Sequence, residues 1–322
     1  MVNRSANASW NGDNFQIVAA ISLLVDNIYD FTFIKCEHEI EDIVVGFADG
    51  SIIAAQSKAS FDVESSHALD YFDKGLLTLT EASESYNCRK QIYITNIDTM
   101  LGSSTNTKDF LEYRTIWFDE LSRENRDIIK SRKLGWKVTS SFGIQHLKYT
   151  GENKEKWIRT KVRDVLREID SLRSLNTNRV FDQWKIYLSY NSGERNRNIV
   201  CNREKMIWGI IVQRVDSIDS DICDESDDDY SEVVDRYSDT IDSLTGEFPI
   251  FSRICGDFIR YRLSNPDCDY SQYSESQWEK YHDIVDNLDI ENRLESKVLK
   301  VLIQMVLRRS ELINNIRQEL NV

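Results

Sequence analysis

Hydrophobic and polar positions over the first hundred residues follow two different periods. A helical period begins after Asp13 or Asn14, either of which can cap a helix. On one face of this helix lie Ile17, Ala20, Ile21 and Leu24. Three runs rich in β-branched and aromatic residues come next, at 31–36, 40–47 and 51–56. An Asp49-Gly50 pair, typical of hairpin turns, joins the last two runs. A helix over 66–82 and a strand over 91–96 follow. This order predicts a mixed sheet flanked by helices.

The pattern beyond residue 107 is mostly helical. Helical spacing covers 109–130 and 154–175, whereas 184–190 fits a strand or a helix. A long apolar stripe lies between Glu291 and Leu320 and consists of Leu294, Val298, Val301, Leu302, Met305, Leu312 and Ile316. We therefore predict an α/β domain over residues 1–150 and a mainly α-helical C-terminal domain over residues 151–322, with the boundary near Gly151.

Charge is distributed unevenly along the chain. Of the net charge of −14, residues 215–250 contribute −12, whereas residues 151–214 carry +6. Because phosphate contacts are made by local basic patches, the overall acidity does not exclude a nucleic-acid ligand. We interpret the acidic stretch Asp216–Glu247 as a solvated loop, partly disordered. The alternative is a DNA mimic that covers the basic surface until the protein is activated.

Several classes of protein are excluded by what the sequence lacks. No apolar run reaches the ~18–20 residues that a membrane helix needs, and the first residues do not form a secretory signal, so we expect a cytoplasmic protein without a membrane partner. The six cysteines form no CxxC pair, which indicates free thiols. The four histidines are far apart. A Walker loop, GxGxxG and GxSxG are all missing, which argues against an NTPase or a serine hydrolase.

The candidate chemistry lies around the predicted hairpin. Gln56 and Lys58 are two positions apart on a strand and leave the same face. The hairpin can bring Asp42, at the start of the preceding strand, beside them. Asp42 and the Gln56 carbonyl are suitable ligands for a hard cation such as Mg²⁺, and Lys58 could position water or stabilise negative charge. On spacing alone, Asp42 could instead cap a strand and Lys58 could be an exposed edge residue.

Taken in order, these residues resemble the PD-(D/E)xK nuclease superfamily. The resemblance is to the double-stranded DNA endonuclease domains that act as effectors of bacterial anti-phage systems, including CBASS nucleases, the Lamassu nuclease subunit and HerA-associated nucleases. It covers roughly residues 10–100. The matching positions are Gly12, Phe15 and Gln16, then Glu41-Asp42-Ile43, then Gln56-Ser57-Lys58, and finally Ile94-Thr95-Asn96.

The resemblance implies a restriction-endonuclease-like core and a DNA endonuclease of low sequence specificity that uses Mg²⁺, or Mn²⁺ in its place. Asp42 matches the metal-binding aspartate, Gln56 the second ligand and Lys58 the catalytic lysine. Gln56 departs from the commoner Asp or Glu. Gln16 and Glu41 are candidate supporting residues, and Glu39 is a second-tier metal ligand. In a regular strand, however, Glu39 and Glu41 would face away from Asp42 unless a bulge intervenes.

The resemblance also implies partners besides double-stranded DNA. Control by an ATPase of the SMC-like or HerA type, or by homo-oligomerisation, is expected for such a nuclease. The segment Glu291–Leu320 is our candidate docking surface, with the alternative that it packs within its own domain. Two other functions stay open at this point. One is a catalytically silent nuclease-fold scaffold that binds DNA or a partner protein, and the other is a nuclease acting on RNA or in DNA repair.

Overall fold

The computed structural model describes residues 4–36, 41–60, 64, 66–132, 141–151, 154–193, 201–215, 228–245, 248–286, 288 and 290–321. The chain forms two compact units, one extending to Ile210 and the other running from Ile211 to Leu320. The boundary that the sequence predicts near Gly151 lies some sixty residues earlier. The reason for the difference is that the helices after Gly151 pack against the first helix of the chain.

The first unit has the predicted order of helix, three strands, helix and strand. These elements are α1 (Arg4–Asp26), β1 (Phe31–Cys36), β2 (Ile43–Phe47), β3 (Ile52–Lys58), α2 (Ala68–Ser85) and β4 (Cys88–Thr95). They are followed by β5 (Thr115–Trp117), α3 (Arg123–Ser131), β6 (Phe142–His146), α4 (Lys156–Arg167), α5 (Thr177–Gly193), β7 (Cys201–Asn202) and α6 (Arg203–Val215), which spans the boundary between the units.

The described strands form one mixed sheet of seven strands in the order β5-β6-β4-β3-β2-β1-β7. The predicted hairpin is present: β2 and β3 are antiparallel, with Ile43 opposite Ala55, and Gly50 adopts a positive φ of 76° in the turn. Strands β3, β4 and β6 are parallel to one another, with Lys58 opposite Thr95. The carboxyl ends of three neighbouring strands therefore meet at one edge of the sheet.

Helices cover both faces of the sheet. Ala54 belongs to the buried cluster formed with α2. On the other face, the Gln145 amide of β6 donates to the Ser22 hydroxyl of α1 at 3.2 Å. Because neighbouring side chains of a strand point to opposite faces, α1 and α2 enclose the sheet between them. This confirms the mixed sheet with flanking helices.

Helices α4 and α5 complete the first unit by packing against α1. The Lys161 ammonium of α4 lies 2.6 Å from the Asp26 carboxylate and 2.9 Å from the Ser22 hydroxyl, and burial lowers the pKa of Lys161. The segment 184–190, which was ambiguous in sequence, is helical. Its helical period buries Trp184 and Leu188.

The helix predicted over 109–130 is wrong for most of its length. A short 3-10 helix covers Thr107–Phe110, and β5 then pairs with β6 as an edge strand. The helix α3 starts only after Ser122, whose hydroxyl accepts a hydrogen bond from the backbone N–H of Asn125 as an N-cap. Pairing with β6 makes Thr115–Trp117 a strand despite its helical spacing. The helix prediction failed because the sequence pattern did not predict β6.

The second unit is helical, as predicted for the C-terminal region. It contains α7 (Asp228–Thr245), α8 (Phe248–Ser264), α9 (Tyr270–Gln277), α10 (His282–Val285) and α11 (Glu295–Glu319). Helix α7 lies inside the acidic stretch and buries Val233, Tyr237 and Ile241 at helical spacing. The loop interpretation is therefore wrong for 228–245. The rest of that stretch, 216–227 and 246–247, lies outside the described residues.

Helix α11 forms the centre of this unit and contacts α7, α8 and α9. Its predicted stripe is largely buried there, including Val298, Leu302 and Ile316. This packing agrees with the alternative that the segment packs within its own unit. Over the described residues, no helix is both long and apolar enough to cross a membrane. The described cysteines are free thiols, and Cys223 lies outside the described residues.

Candidate active site

Asp42 immediately precedes β2, at the edge of the sheet where β3 ends. The register of the hairpin, continued by one residue beyond Ile43 and Ala55, places Asp42 beside Gln56. The backbone carbonyl of Asp42 accepts a hydrogen bond of 2.6 Å from the side-chain amide of Gln16 in α1. Its carboxylate oxygen Oδ2 accepts from the Ser57 amide at 3.0 Å and from the Ser57 hydroxyl at 3.2 Å. Both the main chain and the side chain of Asp42 are therefore fixed.

Gln56 is 4% exposed and lies between Asp42 and α2. Its Nε2 donates to Asp42 Oδ2, and its Oε1 accepts a hydrogen bond of 2.8 Å from the Thr78 hydroxyl. The nitrogen of the amide is thus held by a carboxylate, and its oxygen by a hydroxyl. A hydroxyl can donate or accept, so Thr78 would also tolerate the amide rotated by half a turn. In that rotamer the Gln56 oxygen faces Asp42.

Lys58 is the last residue of β3 and the most accessible of the three predicted residues. Its side chain is 36% exposed, and its Nζ lies 3.6 Å from Asp42 Oδ2. The backbone carbonyl of Lys58 accepts a hydrogen bond of 2.7 Å from the Thr95 hydroxyl. Just beyond, the Asn96 side chain bonds both the amide and the carbonyl of Ser60, each at 2.7 Å. The motif at the end of β4 thereby fixes the main chain that carries Lys58.

Glu41 lies close to Asp42, to Lys58 and to the Thr78 hydroxyl of α2. Regular strand structure begins only at Ile43, so alternation does not apply to Glu41. Its carboxylate is within bonding reach of the Thr78 hydroxyl, and it is 4% exposed. Burial, followed by the nearby charge of Asp42, raises the pKa of Glu41 to about 8. Its predicted companion Glu39 lies outside the described residues.

The folded chain thus brings together Asp42, Gln56 and Lys58, with Gln16 and Glu41 beside them. No protein-family model, curated protein or solved structure matches this chain. Each of the five side chains has a defined place at the sheet edge: Gln16 holds the Asp42 main chain, and Gln56 and Ser57 hold its carboxylate. The Lys58 side chain is partly exposed to solvent, whereas Glu41 is buried.

The donor set at this edge suits a hard divalent cation. Carboxylate and amide oxygens are the ligands that Mg²⁺ takes in proteins. Oε1 of Glu41 is buried and has no hydrogen-bond partner among the described residues, so one carboxylate oxygen lacks a compensating group. Two adjacent carboxylates also repel each other, and a cation would relieve that repulsion. Asp42 and Glu41, with Gln56 in its rotated form, are the residues that could hold it.

Two contributors were missed from the sequence, Thr78 and the side chain of Ser57. Thr78 lies on α2, 22 residues after Gln56, and nothing in its local pattern points to the site. Ser57 was part of the matched motif but was given no role. Its signal was available, because Ser57 directly follows Gln56, the residue that the hairpin register places beside Asp42.

Gly75 allows α2 to lie close to the site, and we predict that Gly75→Ala destabilises the protein. A β-carbon there would come within 2.6 Å of the Tyr93 ring and 3.4 Å of the Gln56 Cγ. The clash should outweigh the helix-propensity gain of about 1 kcal/mol and lower the melting temperature. Gly12→Ala is the matched control. Gly12 is also helical but has no neighbour within 4 Å among the described residues, so this variant should be neutral or stabilised. Equal melting temperatures for the two variants would contradict the close packing.

A second group of titratable side chains was not foreseen and lies in the second unit. His282, Asp286 and Glu295 have ligand atoms within 4.8 Å of one another. The His282 Nδ1 is already 2.6 Å from Glu295 Oε1, and Asp286 is exposed. A histidine with two carboxylates is not the all-oxygen set that Mg²⁺ prefers. We assign no metal to this group.

Proposed function

We propose that the chain is a Mg²⁺-dependent endonuclease that hydrolyses phosphodiester bonds of double-stranded DNA with low sequence specificity. The observation that carries this proposal is the convergence of Asp42, Gln56 and Lys58, with Lys58 Nζ only 3.6 Å from the Asp42 carboxylate. An acid, an amide and a lysine at the end of a sheet hairpin form the arrangement expected from the PD-(D/E)xK resemblance. On this proposal the mixed sheet of the first unit is a restriction-endonuclease-like core.

Each residue of the site has a distinct chemical task under this proposal. Asp42, Gln56 and Glu41 would hold the cation, which would neutralise phosphate charge and lower the pKa of a water. Lys58 is exposed enough to reach a phosphate oxygen and to stabilise the negative charge that develops during hydrolysis. Ser57 and Gln16 fix Asp42 before substrate arrives, so little reorganisation accompanies the reaction.

Control of the nuclease is also part of the proposal. A nuclease with low sequence specificity damages its own cell, so its activity must be restrained until it is needed. By the same resemblance we propose that it is the effector of an anti-phage defence system. An ATPase partner of the SMC-like or HerA type, or homo-oligomerisation, would then provide the control.

Plasmid cleavage tests the proposed activity. We expect nicked and linear products with Mg²⁺ or Mn²⁺, and none with EDTA. Because a restrained enzyme can be silent alone, the assay is repeated at high protein concentration and with the products of neighbouring genes. Cutting in EDTA would contradict the metal requirement.

A catalytically silent scaffold is the second candidate, and the hydrogen bonds of Asp42 favour it. Its Oδ2 already accepts from Gln56, from the Ser57 amide and from the Ser57 hydroxyl, so the carboxylate is satisfied without a cation. A protein of this kind would bind DNA or a partner protein without cutting. DNA binding without cutting under all of the conditions above would support it.

Gln56→Glu separates the two candidates. If the site holds a cation, the added carboxylate should strengthen Mg²⁺ binding on the order of tenfold, since affinity rises with the charge of the ligands. Isothermal titration with Mg²⁺ measures this, and Gln56→Ala is the control that removes the ligand and should weaken binding. In a silent scaffold, none of the three proteins would bind Mg²⁺ at this site. Equal affinity of wild type and Gln56→Glu would contradict Gln56 as a ligand.

A further inference from the structure

A groove of the first unit lies between α4 and the start of α5. It has a volume of about 790 Å³ and is open to solvent. Its lining is strongly basic, with one acid, Glu155, among the basic side chains Lys154, Lys156, Arg159, Arg163 and Arg167. Residues 176–178 at the N-terminal end of α5 also line it. The positive end of that helix dipole adds to the attraction for an anion.

The groove's acid does not cancel its basic charge. Glu155 is paired with Lys185 on α5 and with Arg159, which also lies 2.6 Å from Asp182. Lys156 and Arg167 have no acidic partner within the part of the chain that the structure describes, and both are exposed. Two cations at the ends of α4 therefore have the capacity to bind phosphate without first breaking an ion pair.

The basic positions follow the length of α4. Lys156, Arg163 and Arg167 recur at helical spacing, and the first and last are separated by about 16 Å along the helix axis. One strand of duplex DNA carries a phosphate about every 3.4 Å of axial rise. The length of the groove thus corresponds to about five base-pair steps along a duplex, which is longer than a single nucleotide requires.

Side-chain contacts connect this groove to the candidate active site. Lys154, at one end of the groove, has its Nζ 4.8 Å from the centre of the Tyr149 ring. Tyr149 in turn packs edge-on against Phe15 of α1, with ring centres 5.5 Å apart. The next residue of α1 is Gln16, which holds the Asp42 carbonyl. Lys154, which lines the groove, is therefore packed through Tyr149 onto α1, the helix that positions Asp42.

We propose that this groove binds the phosphodiester backbone of double-stranded DNA, outside the nucleotides that are cut. The proposal rests on the nuclease function proposed above, and it assigns the binding surface for that substrate. The contacts are with phosphates and carry no base information, in agreement with low sequence specificity. Lys156 and Arg167 contribute two of the phosphate contacts.

The test compares two double variants in the full-length Lys58→Ala background, in EDTA, so that DNA is bound but not cut. Lys156→Ala/Arg167→Ala removes the two groove cations. Lys108→Ala/Arg123→Ala is the matched control, because it removes the same charge from exposed positions of the same unit. Binding of a short fluorescent duplex is measured over a range of salt concentrations.

We expect the groove variant to bind the duplex on the order of tenfold more weakly at moderate salt. Its slope of log affinity against log salt should fall by about 1.8, since each lost phosphate contact contributes ~0.9. The control should keep both values. Equal weakening of the two variants, or no weakening of either, would overturn the groove as the binding surface. Binding of ATP and of inorganic triphosphate is measured in parallel. A groove variant that binds these small anions more weakly but binds the duplex normally would also overturn the proposal, because the groove would then be a small-anion site.

Plasmid cleavage by the protein with Lys58 intact, assayed in Mg²⁺, separates this proposal from the function on which it rests. Normal cleavage with unchanged duplex binding in the groove variant would overturn the groove alone. Absence of both cleavage and duplex binding in the unmutated protein would overturn the nuclease, and the groove proposal with it.

Discussion

Alanine in place of Lys58 is expected to slow Mg²⁺-dependent DNA cleavage by about 100-fold to 1000-fold. The ammonium group ends 3.6 Å from Asp42 on a side chain that is 36% exposed, so it can meet both the acid and an incoming phosphate. Removing it takes away a charge that stabilises the transition state. The fold should be kept, because a partly exposed ion pair contributes only about 0–1 kcal/mol. Initial rates of plasmid nicking measure the loss, and circular dichroism confirms the fold.

Lys108→Ala is the matched control for this experiment. Lys108 is an exposed lysine of the same unit, and the Lys108→Ala protein should cut DNA at the wild-type rate. Asp42→Asn should abolish cutting as well, while keeping an oxygen that can accept from Ser57. Cleavage that survives both Lys58→Ala and Asp42→Asn would mean that the chemistry lies elsewhere in the chain.

The hairpin could be predicted from the sequence because its signals are local. The Asp49-Gly50 turn fixes which residues of the two strands face each other, and the period of two then puts Gln56 and Lys58 on one face. These two facts are sufficient to bring Asp42 next to Gln56. The mixed sheet followed from the same reasoning, since the strands and the helix between them lie close together in the chain.

The remainder of the site could not be predicted because it depends on contacts between distant segments. Thr78 reaches Gln56 only because Gly75 lets α2 approach the sheet. The role of Glu41 depends on where the strand begins, and element ends are poorly determined by sequence patterns. In the same way, β5 became a strand by pairing with β6, and the first unit extended to Ile210 because α4 packs on α1.

Glu41 gives the second large effect: in EDTA, the free energy of unfolding should fall as the pH rises from 4.5 to 8. Burial and the charge of Asp42 raise the pKa of Glu41 from 4.5 to about 8. Within this window the folded protein keeps a proton that the unfolded chain has released, so each rise in pH favours unfolding. A pKa change of this size corresponds to as much as about 5 kcal/mol. Below pH 4.5 both states hold the proton, and Glu41 costs no stability.

Glu41→Gln is the comparison that isolates this effect, because the amide resembles the protonated acid at every pH. Urea unfolding of both proteins at pH 5 and pH 8 should show that the variant loses less stability. The sign of the change in stability with pH distinguishes Glu41 from His146. Burial lowers the pKa of His146, so its stability contribution increases with pH, in the opposite sense. Among the described carboxyl groups whose pKa is clearly shifted, Glu41 has the raised value and the others are lowered. A loss of stability of the same size in Glu41→Gln would therefore contradict the raised pKa of Glu41 as its cause.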